Sequence, residues 1–152
     1  MKKQNTTLIG PLLQNFFVEF LCKQKHASVA TIARYRDTMR LLLQYVHGTT
    51  GTQPASVRIQ DLDVPVILSF LDHLEQSRQN SVRSRNTRLA AIRSFFRVVA
   101  LRDPTNVNQA SRILNIPTKR CDRKLVRPLS REEMEAILKA LLVYSVAMLR
   151  WA

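Results

Sequence analysis

The sequence predicts an all-α protein: a bundle of four or five helices, then an extended basic linker, then an isolated C-terminal helix. Apolar residues recur at three- and four-residue steps, and residues typical of helix ends lie at both ends of these stretches. Few stretches show the alternation of apolar and polar residues that is typical of strands. A chain of 152 residues is long enough for one ordinary domain and a short appendage. We therefore expect one domain over residues 1–115, a linker over 116–129 and the start of a second domain over 130–152.

The first three helices have recognisable boundaries. A one-sided apolar pattern predicts the first helix from Leu8 to Lys25. Ser28 is a suitable N-cap for the second helix, and Gly48 is expected to end it. After a loop that contains Thr, Gly and Pro, Asp63 can cap the third helix, which has a proline in its first turn. We expect the apolar sides of these helices to form the core.

The fourth helix has two different faces in the stretch NSVRSRNTRLAAIRSFFRVVA, which starts at Asn80. At about 100° per residue, one narrow sector collects the apolar residues Leu89, Ile92, Phe96 and Val99. A second stripe, centred more than about 90° away, consists of Arg83, Asn86, Ala90, Arg93 and Arg97. No acidic residue follows four positions later to neutralise these arginines. Because arginine suits phosphate oxygens and guanine edges, the stripe predicts contact with nucleic acid.

The charge of the chain is positive and concentrated. Its 24 Lys and Arg oppose 11 Asp and Glu, which gives a net charge of +13 and a pI near 10.9. Between Ser81 and Arg127, twelve basic residues face only Asp103 and Asp122, so this part carries most of the excess. Such a field favours polyanions, either nucleic acid or an anionic membrane surface.

Several other functions are disfavoured. The early apolar run LIGPLLQNFFVEFLC is interrupted by Pro11 and Glu19, and no small-residue cleavage pattern follows it. Cys22 and Cys121 are too far apart for a local metal motif, the three histidines lack ligand spacing, and no glycine-rich phosphate loop occurs. We therefore expect no metal, no cofactor and no membrane partner, in a soluble, reducing, cytoplasmic setting.

Basic residues continue beyond the bundle. The stretch NIPTKRCDRKLVRPLS has a proline near each end and predicts an extended linker that carries Lys119, Arg120, Arg123, Lys124 and Arg127. Ser130 and Glu133 then form a capping box that opens the last helix. That helix becomes more apolar towards its end and needs a partner to bury it. We expect it to begin a second domain that is missing, or to dock on another protein or on itself.

Three stretches resemble, in order and spacing, the tyrosine recombinases, also called phage integrases. They are ASVATIARYRDTMRLLLQYV, SVRSRNTRLAAIRSFFRVVA and IPTKRCDRKLVRPLSREEMEAIL, and the resemblance covers about residues 8–138. They are similar to the N-terminal core-binding (SAM-like) domain, the linker and the start of the catalytic domain, which clamp double-stranded DNA in that family. The resemblance therefore implies DNA contacts by Thr31, Arg34, Arg83, Arg85, Asn86, Arg93, Arg97, Lys119, Arg120, Arg123 and Lys124.

The catalytic residues of that family are not recognisable in this chain. The family's chemistry needs a Tyr nucleophile, two Arg, a His or Trp, and a Lys, whereas segments of the form T-G-x-R and H-x-x-R are absent from the sequence. Tyr35 and Tyr45 belong to the second helix, and Tyr144 precedes any place where a catalytic domain could be complete. The resemblance thus implies a DNA-binding module for DNA integration and recombination that is catalytically incompetent as a truncated chain.

Three other interpretations stay open. A helix-turn-helix regulator would also be small, basic and helical, although the basic linker has no role in that fold. A structural RNA-binding protein would explain the positive charge equally well. A fragment of an active enzyme could be completed by a second chain, such as a full-length recombinase, and downstream genomic sequence that encodes the missing motifs would reveal a broken gene.

Overall fold

The computed structural model describes residues 7–121 and 128–149, with side chains described as far as residue 141. These residues form two compact units, divided after Cys121. The helices are α1 (Ile9–Asn15), α2 (Val29–Thr50), α3 (Val64–Gln76), α4 (Val82–Arg102), α5 (Val107–Leu114) and α6 (Arg131–Leu149). The first five lie in the first unit. No strand occurs in the described ranges, where an isolated bridge joins Leu8 and Arg58. The predicted all-α class is confirmed.

The first predicted helix has an unexpected second half. After α1 the chain continues as a π-helix, Phe16–Gln24. Phe16 and Leu21 are five residues apart and are both fully buried. A π-helix closes its turn between residues five apart, so it brings this pair towards one side, whereas an α-helix would separate the two side chains. Burial of both residues accounts for the change in helix type.

The N-termini of the longer helices are capped by side chains. The Thr31 amide donates to Ser28 Oγ at 3.2 Å, and the Val66 amide donates to Asp63 Oδ1 at 3.0 Å. Ser81 caps α4 in the same manner and accepts from the Ser84 amide at 3.2 Å. The predicted caps of α2 and α3 are therefore confirmed, because these short polar side chains satisfy amides that have no partner within the helix.

The predicted end of α2 at Gly48 is wrong. The helix passes through Gly48 and ends at Thr50, and Gly51 follows with a left-handed φ of 72°. The hydroxyl groups of Thr49 and Thr50 both donate to the Val46 carbonyl, at 3.1 and 2.8 Å. These threonines are accommodated in the last turn, and the later glycine supplies the left-handed conformation that ends a helix.

The core is centred on α4. Its predicted apolar residues, Leu89, Ile92, Phe96 and Val99, are all fully buried. Phe95 is also buried and packs edge-on against Phe16, with ring centroids 5.6 Å apart. Contacts with α2, α3 and α5 surround α4. The helix therefore has one fully buried side, and its opposite side is left for polar and charged residues.

In the second unit, the capping box at the start of α6 is confirmed. The Glu133 amide donates to Ser130 Oγ at 3.2 Å, and the Ser130 amide donates to Glu133 Oε2 at 2.8 Å. Several large apolar residues on the helix are exposed, namely Met134, Ile137, Leu138 and Leu141. The apolar character predicted for this helix is therefore present on its surface.

Candidate nucleic-acid interface

The N-terminal halves of α2 and α4 line a shared cleft of about 310 Å³. Its lining residues are Arg34, Asp37, Thr38, Arg83, Ser84, Thr87 and Arg88. Three guanidinium groups and one carboxylate give these residues a net charge of +2. We call this recess the cationic cleft.

The one carboxylate of the cationic cleft is already paired. Arg88 Nη1 lies 2.9 Å from Asp37 Oδ2, and Arg40 Nη2 lies 2.8 Å from Asp37 Oδ1. The hydrogen bonds from Arg40 and then from Arg88 hold the pKa of the Asp37 carboxyl below its ordinary value. Asp37 therefore stays ionised at neutral pH and is neutralised by these two arginines, which leaves the other cations of the cleft uncompensated.

Arg34 and Arg83 are the uncompensated cations. Both are exposed, and neither side chain forms an ion pair or hydrogen bond with another described residue. Arg34 lies in the second turn of α2 and Arg83 in the first turn of α4. A guanidinium group in this state can donate several hydrogen bonds to a phosphate without first losing a protein partner.

Thr31 lies at the start of α2, one turn before Arg34. Its backbone amide is capped by Ser28, and its hydroxyl oxygen lies 2.9 Å from Ser28 Oγ. The side chain is partly exposed. A hydroxyl that takes part in a helix cap can still accept or donate one further hydrogen bond to a ligand.

Arg85 is placed inside the bundle. Its side chain is only 4% exposed, and its Nε lies 3.8 Å from Glu75 Oε2. Arg85 Nη1 also donates to Asn86 Oδ1 at 3.3 Å. Arg85 precedes Leu89 by four residues and so belongs to the apolar sector of α4. This spacing is the signal that separates it from the exposed arginines.

Two residues of the predicted stripe are occupied by the chain that follows α5. Asn86 Nδ2 donates to the Lys119 carbonyl at 2.7 Å, and the Lys119 amide donates to Asn86 Oδ1 at 3.0 Å. Arg93 Nη2 donates to the Ile116 carbonyl. Both side chains are partly buried. The first residues of the predicted linker therefore cover part of the stripe.

Lys119 is held by acidic residues of α3. Its Nζ donates to Glu75 Oε2 and lies 3.8 Å from Asp72 Oδ1. The Glu75 side chain, which is 16% exposed, thus contacts both Lys119 and Arg85. Glu75 has no local signal in the sequence, because its partners Arg85 and Lys119 lie on other segments of the chain.

The other predicted DNA contacts fall into two groups. Arg97 is exposed on α4, and Arg120 is exposed next to Lys119. Neither side chain pairs with another described residue. Arg123 and Lys124 lie outside the described residues. The structure therefore brings Arg34 and Arg83 together on one cleft and places Asn86, Arg93 and Lys119 in a second cluster.

Two of the tyrosines pack within the bundle. Tyr35 stacks on Phe16, with ring centroids 6.2 Å apart. Tyr45 contacts Phe70 and His73, with centroid distances of 5.7 and 5.2 Å. These contacts agree with the predicted packing role of both tyrosines, whereas the side chain of Tyr144 lies outside the described part of α6.

Neither a metal cluster nor a membrane span is found in the described ranges. No group of three or more His, Cys, Asp or Glu side chains there could hold a metal ion. None of the described helices is both long and apolar enough to cross a membrane.

The fold and the cleft define a small α-helical domain with a cationic recess, and comparison with known proteins gives its family. The profile described as "Phage integrase, N-terminal SAM-like domain" matches residues 15–103. The chain belongs to the phage integrase (tyrosine recombinase) family, and the resemblance found in the sequence is confirmed.

Curated relatives carry names from the same family. The chain is 42% and 45% identical to the putative integrase/recombinases y4rD and y4rC of Sinorhizobium fredii, over 88% and 87% of its length. It is 28% identical to tyrosine recombinase XerC of Roseiflexus castenholzii over 81% of its length. The matches cover 47%, 40% and 36% of these three proteins, so the chain spans less than half of each. No solved structure gives a significant match.

Proposed function

We propose that this chain is the DNA-binding part of a site-specific tyrosine recombinase and that it binds duplex DNA through the cationic cleft. The observation that carries the proposal is the pair of exposed, unpaired guanidinium groups of Arg34 and Arg83 on one cleft. Asp37 does not cancel their charge, because Arg40 and Arg88 already neutralise it. Family membership supports DNA as the polyanion.

Phosphate contacts account for the expected binding. A cation that neutralises a DNA phosphate releases condensed counterions, so affinity from such contacts falls steeply as salt rises. Arg34, Arg83, Arg97 and Arg120 supply this attraction, and Thr31 adds a hydrogen bond to the DNA backbone. Arg85, Asn86 and Arg93 are occupied within the protein and are not included among the proposed direct contacts.

Cleavage and rejoining of DNA belong, in this proposal, to the remainder of a full-length recombinase. The packing of Tyr35 and Tyr45 against Phe16 and Phe70 supports a structural role for both. Preorganised donors that stabilise a reacting phosphate each contribute orders of magnitude to rate, and this chain has no recognisable set of them. We expect no covalent adduct between this chain and a nicked DNA substrate. An adduct that maps to either tyrosine would contradict this assignment.

Binding to duplex DNA and to structured RNA at matched salt tests the proposed function. Wild-type protein should prefer the duplex, and a double Arg34→Ala/Arg83→Ala variant should lose most of that binding. The control is a double Arg102→Ala/Arg112→Ala variant, which removes the same charge from exposed residues that do not line the cationic cleft. Equal losses in both variants would show non-specific attraction. A preference for RNA would favour the RNA-binding alternative.

The exposed apolar residues of α6 support a further part of the proposal. In a full-length recombinase, the rest of the catalytic domain would cover Met134, Ile137, Leu138 and Leu141. In the segment alone, the same residues would favour association with an intact recombinase or with a second copy of the chain.

A further inference from the structure

The residues that follow α5 form a short segment fixed on the bundle. We call residues 116–121 the linker root, and they belong to the same compact unit as α1–α5. Ile116 is 4% exposed and is part of the hydrophobic core. The segment is therefore anchored by an apolar side chain at its first residue, and polar contacts follow along its length.

Asn86 supplies the central polar contacts of the linker root. Its amide group both donates to and accepts from the backbone of Lys119, at 2.7 and 3.0 Å. A neighbouring β-strand would satisfy these two backbone groups in the same way. The pairing fixes the orientation of the Asn86 amide, because the reverse orientation would set its NH₂ group against the Lys119 N–H.

Asn86 has little capacity left for a DNA base. Its Nδ2 contacts both the Lys119 carbonyl and Cys121 Sγ, the second at 3.3 Å. Its Oδ1 accepts from the Lys119 amide and from Arg85 Nη1. A side-chain amide has two N–H donors and one carbonyl oxygen. Because these are engaged, reading an adenine with the same groups would require breaking the contacts with the linker root.

We propose that Asn86 is a positioning residue that fixes the linker root on α4 and sets the point at which the chain leaves the bundle. Asn86 is one turn beyond Arg83, so the fixed segment holds Arg120 near the end of α4 that lines the cationic cleft. Arg93 and Glu75 assist by holding Ile116 and Lys119. The consequence for DNA affinity rests on the proposed function, whereas the fixation itself does not.

Amide hydrogen exchange tests the fixation without DNA. In an Asn86→Ala variant of the full chain, the Lys119 amide should exchange about tenfold faster, because its acceptor and the paired donor are both lost. Asn108→Ala is the matched control, since Asn108 is exposed on α5 and does not contact the linker root. Its Lys119 exchange rate should equal that of wild type. Unchanged exchange in Asn86→Ala, with the helical circular dichroism of wild type, would overturn the proposal.

A double-mutant cycle in duplex binding tests the positioning role. If Asn86 acts through the linker root, the losses from Asn86→Ala and Arg120→Ala should be strongly non-additive, with the double variant close to the worse single variant. Full additivity would show that Asn86 does not position Arg120 and would overturn that role. If the wild-type chain fails to bind any duplex, the proposed function fails, and hydrogen exchange at Lys119 still decides whether Asn86 fixes the linker root.

Discussion

The cationic cleft and the linker root differ in how their basic residues are used. In the cationic cleft, Arg34 and Arg83 are exposed and have no described partner. At the linker root, Arg93 binds the Ile116 carbonyl and Lys119 binds the Glu75 carboxylate. Arg83 and Arg93 nevertheless belong to the same stripe of α4. Charge and helical spacing therefore locate a basic face, whereas long-range contacts decide which of its cations are available.

The largest expected effect on DNA binding comes from reversing the charge of the cationic cleft. A double Arg34→Glu/Arg83→Glu variant should lower duplex affinity roughly 100-fold at low salt, because two phosphate contacts become repulsions. Electrophoretic shift or fluorescence anisotropy would measure the loss. The control is Arg102→Glu/Arg112→Glu, which changes net charge equally away from the cleft. A similar loss in the control would remove the distinction between the cleft and the rest of the surface.

Removing the Glu75 carboxylate, which contacts both Arg85 and Lys119, should lower the free energy of unfolding. Glu75→Ala leaves the guanidinium of Arg85 buried without its carboxylate partner, which we expect to cost about 3 kcal/mol in the free energy of unfolding. Urea denaturation would measure this change. Asp72→Ala is the matched control on the same helix, and because Asp72 is exposed its loss should be about 0–1 kcal/mol. Equal effects of the two variants would contradict a special role for Glu75.

The rate of trypsin cleavage in the linker root should respond moderately to a change at Asn86 and not to a change in the cationic cleft. Lys119 and Arg120 are potential cleavage sites within the fixed linker root, and cleavage there requires the segment to leave α4. Asn86→Ala should therefore speed cleavage after these residues about fivefold relative to wild type, while Arg83→Ala should not. Mass spectrometry of the fragments would assign the sites. Faster cleavage in both variants would indicate general loosening of α4.

The smallest expected effect concerns the pH dependence of the ion pairs of Asp37. Its folded-state pKa is lowered, so its contribution to stability is present above the ordinary Asp pKa of about 4 and is lost as pH falls through the folded value. Because its side chain is 38% exposed, we expect less than about 1 kcal/mol. The difference in unfolding free energy between wild type and Asp37→Asn, measured by denaturation, should therefore shrink as the pH falls from about 6 to about 3. A constant difference would contradict the pairing.

Local features of the fold could be predicted from the sequence. The caps at Ser28 and Asp63 and the capping box at Ser130 depend on residues within one turn, and all three are confirmed. The predicted helix end at Gly48 is wrong because any of several residues near a helix end can terminate it, and the threonines that follow fit the last turn. The π-helical segment depends on the burial of both Phe16 and Leu21 in the core. Sequence periodicity alone does not specify that both are buried.

The candidate site could be predicted only in part. The exposed state of Arg83 and Arg97 follows from their angular separation from the apolar sector of α4. The burial of Arg85 also has a local signal, its four-residue spacing from Leu89. The engagement of Asn86 has none, because its partner Lys119 is 33 residues away. Contacts at such separation depend on how α5 returns the chain along α4, which no local pattern encodes.

The salt dependence of duplex binding in two single variants separates the arginines that are available to DNA from those that are occupied within the protein. Arg83→Ala and Arg93→Ala remove the same charge from one stripe of α4. For Arg83→Ala, the negative slope of log K against log salt should become shallower by about 0.9 relative to wild type, because one phosphate contact is lost. For Arg93→Ala, the slope should stay unchanged, because Arg93 binds the Ile116 carbonyl. The buried Ile116 side chain and the Asn86 hydrogen bonds would still hold the linker root in that variant. An unchanged slope for Arg83→Ala, or an equally shallower slope in both variants, would contradict the division between available and occupied arginines.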